Sequence, residues 1–267
     1  MAYDIGNSGA EHISISRVSK TFRTRNGDVQ ALADIDLEIR RGEFVSVLGP
    51  SGCGKSTLMM ILSGLIPASR GEIMVDEKPI NGPNAEIGIV FQQDVLLEWR
   101  TALQNVLIQA EIRKFPLDAA RERARKLLRM VSLDDFEGAF PKELSGGMRQ
   151  RVSICRALLH EPPLMLMDEP FGALDAMTRD QLQLDLLRLC ADSNMTVFFI
   201  THSITEAIFL SDRVVVMSPR PGRVEEIVEI DLPRPRRLSM REDPKFIAYV
   251  RGLTETFMNL GVFREEV

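Results

Sequence analysis

Gly49, Gly52, Gly54, Lys55, Ser56 and Thr57 fall in the spacing G-x-x-x-x-G-K-S-T, the residue set a backbone needs to wrap a chain of phosphates. Several main-chain N–H groups must converge on one polyanion, and Cβ atoms would obstruct them, so glycine is required where the loop turns. Pro50, Ser51 and Cys53 occupy the variable positions. A helix opening at Lys55 offers unpaired N–H groups and roughly +0.5 of partial charge. Lys55 adds a full charge near the terminal phosphates, Ser56 offers a hydroxyl to Mg²⁺, and Thr57 can hydrogen-bond a phosphate. The Cys53 side chain is expected to be a bystander that makes the loop sensitive to alkylation.

Three further groups carry chemistry. Asp168 and Glu169 are adjacent acids at the end of the apolar run Leu164-Met165-Leu166-Met167, a costly arrangement unless positive charge is supplied. A Mg²⁺ ion would give Asp168 a metal to hold, directly or through water. Glu169 would orient or deprotonate an attacking water, an effect worth about 10²–10⁴-fold. His202 follows the apolar run 195–200 and Thr201. It ends a strand of the parallel type, where ligands of such sheets gather, and so is a candidate γ-phosphate contact, unlike His12 and His160. Ser145, Gly146 and Gly147 precede another helix and form a second anion-binding start, about 90 residues beyond the first. A single nucleotide has little use for both within one chain.

The elements that must position these groups are legible. Residues 44–48 form an apolar strand into the loop, and 58–65 an apolar-periodic helix after it. Ile13 and Ile15 start a strand, with Phe22 beyond it. Ala31, Ala33, Ile35, Leu37 and Ile39 alternate with Leu32, Asp34, Asp36 and Glu38, a strand with one wet face. Further strands are expected over 72–75, 87–91 and 214–217, with 224–230 as a hairpin partner. Leu117, Ala120, Ala124, Leu127, Leu128 and Val131 share one helical face, with arginines and Lys126 as a solvated opposite face. Ala173-Leu174-Asp175 opens another helix. Pro233-Arg234-Pro235-Arg236-Arg237 reads as a basic linker, and Phe246, Val250, Leu253 and Phe257 as a final amphipathic helix packed on the same chain. The fold class expected is α/β with a helical subdomain inserted into the core.

The totals narrow the function. The chain has 267 residues, 45 % hydrophobic and 27 % charged, with a net charge of -5. That suits one large domain, or a domain with a subdomain, and gives no support for non-specific nucleic-acid binding. Three cysteines, Cys53, Cys155 and Cys190, form no disulfide framework and fit a reducing cytosol. Residues 1–11 lack an apolar signal-peptide core, and no apolar run reaches the roughly 18 residues that span a bilayer. A membrane role is therefore expected through a partner. No internal repeat is present, so one nucleotide-binding unit is expected.

The phosphate loop, Leu144-Ser145-Gly146-Gly147-Met148-Arg149-Gln150, the run into Asp168-Glu169, Ala173-Leu174-Asp175 and Thr201-His202 resemble, in that order, the ATPase subunit of an ATP-binding-cassette (ABC) transporter over roughly residues 13–230. The resemblance implies a P-loop NTPase (RecA-like) core with an N-terminal antiparallel β subdomain and an inserted α-helical subdomain. It implies a nucleotide-binding domain over 12–245, with the helical subdomain at about 93–157, followed by a C-terminal amphipathic helix over 246–267. It also implies that Phe22 stacks on adenine, as Phe where Tyr is commoner. Gln92 senses Mg²⁺ and the γ-phosphate, its neighbour Gln93 leaving that assignment open by one place. Ser145, Gly146 and Gly147 close on ATP held by the opposite subunit, and Asp175 communicates across that homodimer.

A finer likeness is to the nitrate/sulfonate/taurine import family. It rests on Leu96-Leu97-Glu98-Trp99-Arg100-Thr101, with Glu98 where Pro is commoner, on Glu206-Ala207-Ile208-Phe209-Leu210-Ser211-Asp212-Arg213, and on Met217-Ser218-Pro219-Arg220-Pro221-Gly222. It implies an ATP- and Mg²⁺-dependent subunit on the cytoplasmic face of the cell membrane. Transmembrane permease subunits and an extracytoplasmic solute-binding protein would be its partners. Trp99 is read either as subdomain core or as part of the groove receiving the permease coupling helix. Two rival readings differ in class. A soluble ATPase acting on DNA or ribosomes would usually carry a coiled-coil insertion or a second cassette. A non-hydrolysing scaffold would have lost a catalytic-type position, and none is lost here.

Overall fold

The computed structural model describes residues 11–25, 27–172, 174–191 and 193–263. The polar stretch 1–10, Ala173 and the last four positions of the 246–267 segment lie outside them. In chain order the elements are β1 (Glu11–Thr24), β2 (Gly27–Arg40), β3 (Phe44–Leu48), α1 (Lys55–Leu62), β4 (Arg70–Val75), β5 (Lys78–Pro79), β6 (Ile87–Val90), α2 (Ala102–Arg113), α3 (Leu117–Met130), α4 (Gly146–Leu158), β7 (Leu164–Asp168), α5 (Ala176–Ala191), β8 (Thr196–Thr201), α6 (Ile204–Leu210), β9 (Arg213–Met217), β10 (Val224–Glu229) and α7 (Pro244–Asn259). They fall into two compact units, Met1–Ala85 with Asn194–Val267, and Glu86–Ser193.

The first unit holds an antiparallel sheet in the order β2-β1-β4-β5 and a set of strands in the order β10-β9-β3-β8. β3 runs parallel to both β8 and β9, while β10 returns antiparallel on β9. β3 and β8 are buried at every residue, as expected of continuous apolar runs in parallel strands. β1 is longer than the Ile13–Ile15 pattern indicates, because register shifts at Ser16 to Lys20 break the alternation without ending the strand. Arg17 takes a positive φ of 47° there, the mark of a bulge. In β2 the wet face holds except at Leu32, which is fully buried.

The basic run at 233–237 is not a free linker. Arg236 is 5 % exposed, and its Nη2 donates to the Ser211 carbonyl at 2.9 Å. Arg234 Nη2 donates to the Leu210 carbonyl at 2.9 Å and to Asp212 Oδ1 at 2.7 Å. Leu210 and Ser211 close α6, where carbonyls lack intrahelical donors. The arginines supply those donors and complement the negative helix end. Beyond them α7 packs on α6, burying Phe246, Leu253 and Phe257.

In the second unit β6 and β7 pair in parallel, and α2 packs on both α3 and α4. α3 buries Ala120, Ala124, Leu127 and Leu128, each large side chain contributing about 1.5–3 kcal/mol. Its polar face is not wholly solvated, because Arg123 donates to the Leu159 carbonyl at 2.9 Å and the Leu158 carbonyl at 3.3 Å. α2 starts with a capping box between Thr101 and Gln104. Among the described residues no helix is long and apolar enough to cross a membrane.

Candidate functional site

In the first unit the phosphate loop joins β3 to α1. Lys55 is 5 % exposed. Its Nζ donates to the carbonyls of Gly49 at 2.7 Å and Pro50 at 3.0 Å, so the loop's own backbone solvates a buried ammonium. The first intrahelical bond runs from Leu58 N to Gly54 O at 2.9 Å. The N–H groups of Lys55, Ser56 and Thr57 therefore precede the ladder and are left for another acceptor. Gly54 caps the helix at a φ of 112°, and Gly52 sits at 75°, conformations that favour glycine. A Cβ on Gly54 would lie 2.7 Å from Leu32 Cδ2. This explains why Leu32 leaves the wet face of β2: it packs under the loop.

Cys53 is only 1 % exposed, and burial pushes its thiol up. The expected alkylation sensitivity is therefore not supported, since thiolate and access are both needed. Thr201 pairs in register with Leu48, so His202 leaves β8 beside the start of the phosphate loop. The turn at His202 is fixed by its neighbours. Thr201 Oγ1 donates to Glu206 Oε2 at 2.7 Å, Ser203 N donates to Thr201 Oγ1 at 3.0 Å, and Ser203 Oγ caps α6. Phe22 is 38 % exposed on β1, opposite Val29 on the hairpin whose Ala31 and Leu32 touch Gly54. The Lys20 ammonium lies 5.1 Å from its ring centroid.

In the second unit Val90 and Met167 are paired at the ends of β6 and β7. Gln92 and the Asp168-Glu169 pair therefore emerge from the same end of two parallel strands. β6 stops at Val90, so Gln92 lies two residues beyond the strand rather than at its last position. Asp168 is buried, and Glu169 has a positive φ of 45°. A non-glycine residue held there costs of order 1–3 kcal/mol, the kind of strain that clusters at working sites. Gly172 N donates to the Glu169 carbonyl at 3.1 Å and closes that turn.

Ser145 caps α4, its Oγ accepting from Met148 N at 3.3 Å. Gly147 packs so closely on α5 and the turn before it that a Cβ would lie 3.1 Å from Leu174 Cδ2 and 3.2 Å from Thr178 Cγ2. The serine-glycine helix start and the Leu174-Asp175 turn are thus side by side. α5 begins at Ala176, so Asp175 precedes the helix rather than opening it. Its Oδ1 accepts from Thr178 N at 3.0 Å, which holds its carboxyl below the usual range.

Arg156, Asn105 and the pairing of Arg149 escaped notice in the sequence. Arg149 pairs with Asp94 at 2.7 Å, and Arg156 donates to the carbonyls of Val95 and Asp94 at 2.8 and 2.9 Å. Together they tie the segment after Gln92 to α4. Their i, i+7 spacing on one helix face was the available signal. Asn105, fully buried, donates to the carbonyls of Leu97, Arg100 and Thr101 and accepts from Leu97 N. It staples the loop that presents Trp99, 74 % exposed, which removes the subdomain-core reading of that side chain.

A family model described as ABC transporter matches residues 32–172. An uncharacterized ABC transporter ATP-binding protein of Methanocaldococcus jannaschii is 46 % identical over 255 residues, 96 % of this chain and 92 % of that protein. The aliphatic sulfonates import ATP-binding protein SsuB of Bacillus cereus is 44 % identical over 224 residues, 84 % of this chain and 88 % of its own length. Among solved structures, a dimeric ATP-binding cassette in a post-hydrolysis state bound to ADP and Pi matches with a TM-score of 0.75 and 34 % identity, over 83 % of this chain and all of that one. The structure of cbiO1 from Clostridium perfringens, part of the ABC transporter complex cbiONQ, matches with a TM-score of 0.74 and 26 % identity, over 95 % of this chain and all of that one.

Proposed function

The chain belongs to the ABC transporter family and is an ATP hydrolase with the P-loop NTPase fold of ATP-binding cassettes, and from that premise we propose that it powers import of a small anion such as nitrate, a sulfonate or taurine. In this reading it works as a homodimer on the cytoplasmic face of the cell membrane, bound to separate transmembrane permease subunits. An extracytoplasmic solute-binding protein delivers the anion. The relatives named for aliphatic sulfonate import support the solute class. The dimeric cassette and the transporter-complex subunit support the partners.

One observation carries the mechanism: the chain has two anion-type helix starts, at Lys55 and at Ser145, and one nucleotide in one chain does not need both. Each ATP is clamped between the loop from Gly49 to Thr57 of one copy and Ser145, Gly146 and Gly147 of the other. Phe22 stacks on adenine, and Asp175 communicates across the dimer. Ser56, Gln92 and Asp168 offer only oxygen donors, the set Mg²⁺ takes; the ion, when bound, neutralises phosphate charge. Glu169 orients the water and His202 contacts the γ-phosphate. ATP closes the dimer, the permease changes its access, and hydrolysis reopens it. Trp99 docks the permease.

The solute class is tested with the chain reconstituted with its permease and binding protein in vesicles. Nitrate, taurine or an alkanesulfonate loaded on the binding protein should raise ATP turnover several-fold. Stimulation by a sugar or a metal cation, with none by these anions, would refute the anion assignment while leaving the ATPase intact.

A further inference from the structure

Met217-Ser218-Pro219-Arg220-Pro221-Gly222 lies against the phosphate loop. Gly222 is fastened to β2 on both sides: its N donates to the Ala31 carbonyl at 2.9 Å, and its carbonyl accepts from Ala33 N at 3.0 Å. A Cβ on Gly222 would fall 2.1 Å from the Cys53 carbonyl oxygen, and one on Gly49 would fall 3.1 Å from the Met217 carbonyl oxygen. The phosphate loop and the 217–222 turn therefore touch backbone to backbone. Ser218 fixes the turn, its N donating to the Arg223 carbonyl at 3.0 Å and its Oγ accepting from Arg223 N at 3.1 Å. Arg220 is exposed at the outer side of this contact, and its Nε donates to the Gly52 carbonyl at 3.2 Å. The same cation acts on the Cys53 thiol against the effect of burial.

Gly52 stands between Ser51 and Cys53, at the positive φ that lets the loop turn its N–H groups to one side. A carbonyl swung to that side would oppose a phosphate. A guanidinium on the outer side holds the Gly52 carbonyl away and adds positive potential to the loop. We propose that Arg220 is a positioning residue of the nucleotide site, which sets the affinity for the triphosphate by fixing the Gly52 carbonyl. The proposal rests on the reading of the Gly49-to-Thr57 loop as the ATP site. It assigns Arg220 no part in bond breaking, so its effect belongs to binding rather than turnover.

The test uses the full chain with three variants: Arg220→Gln, Arg220→Lys and Lys55→Ala. Arg220→Gln should raise KM for ATP about three- to tenfold, the effect of losing one solvent-screened hydrogen bond, while kcat falls less than twofold. Arg220→Lys should recover part of the loss by keeping the charge. The thermal midpoint without nucleotide should match the parent chain, because the bond is exposed, and the rise produced by ATP should shrink. An unchanged KM, or a fall in kcat at constant KM, would overturn the assignment. Lys55→Ala separates the two claims. If it still binds ATP as the parent does, the loop is not the nucleotide site. If it loses ATP while Arg220→Gln behaves as the parent, only the role of Arg220 is wrong.

Discussion

Lys55 donates to two carbonyls of its own loop, and Glu169 is held at a positive backbone angle. The phosphate loop was legible residue by residue, because wrapping a polyanion leaves few permissible types at Gly49, Gly52, Gly54 and Lys55. The burial of Cys53 was not legible. It depends on Gly49 and Gly222, the latter far along the chain, closing over the loop. Its consequence is measurable: in the folded chain, N-ethylmaleimide should modify the half-buried Cys190 well before Cys53, and ATP turnover should survive the first modification. Loss of activity in step with modification of Cys53 would contradict the buried assignment. His160 gives a second expectation. Burial, with Arg113 beside it, pulls its pKa from 6.5 down to about 4. The unfolded chain then takes up the proton first as pH falls. The stability this group contributes is full above about pH 6.5 and is lost as pH falls towards 4. His160→Gln should flatten the fall in thermal midpoint across that window; a slope equal to that of the parent would count against it.

At the level of elements, the strands and helices followed their apolar periods, while two of the segments between them, 233–237 and 96–101, take their structure from distant contacts. The 233–237 run looked like a linker because its basic composition is that of a solvated segment. Its arginines instead finish α6, a pairing across more than 20 positions that no local pattern encodes. Replacing Arg236 by Met should leave the Ser211 carbonyl without this donor and destabilise the chain by about 1–3 kcal/mol, read as a lower thermal midpoint. An unchanged midpoint would mean that the contact contributes nothing. The 96–101 loop is similar, since Asn105 holds it from within α2. Trp99, the sole tryptophan, reports on it directly. Its emission should be readily quenched by acrylamide in the free chain and protected when the permease is bound. Protection already present in the free chain would contradict the exposure of the ring.

For the whole molecule, the proposed assembly rests on the two helix starts. Ser145 caps α4 beside Gly147 and the Leu174-Asp175 turn. The sequence showed both starts, because serine and glycine types at helix N-termini are local signals. It did not show how closely Gly147 and Leu174 pack, which takes a contact between a helix start and a distant turn. The central claim is that ATP is shared between two copies. It is tested most directly by the mass of Glu169→Gln, measured by sedimentation with ATP and Mg²⁺, alone and with the permease. The account predicts a stable dimer retaining two ATP molecules and hydrolysing them at least 100-fold more slowly than the parent, within the range lost with a general base. A variant that stays monomeric in both settings, or that turns over ATP at the parental rate, would contradict it.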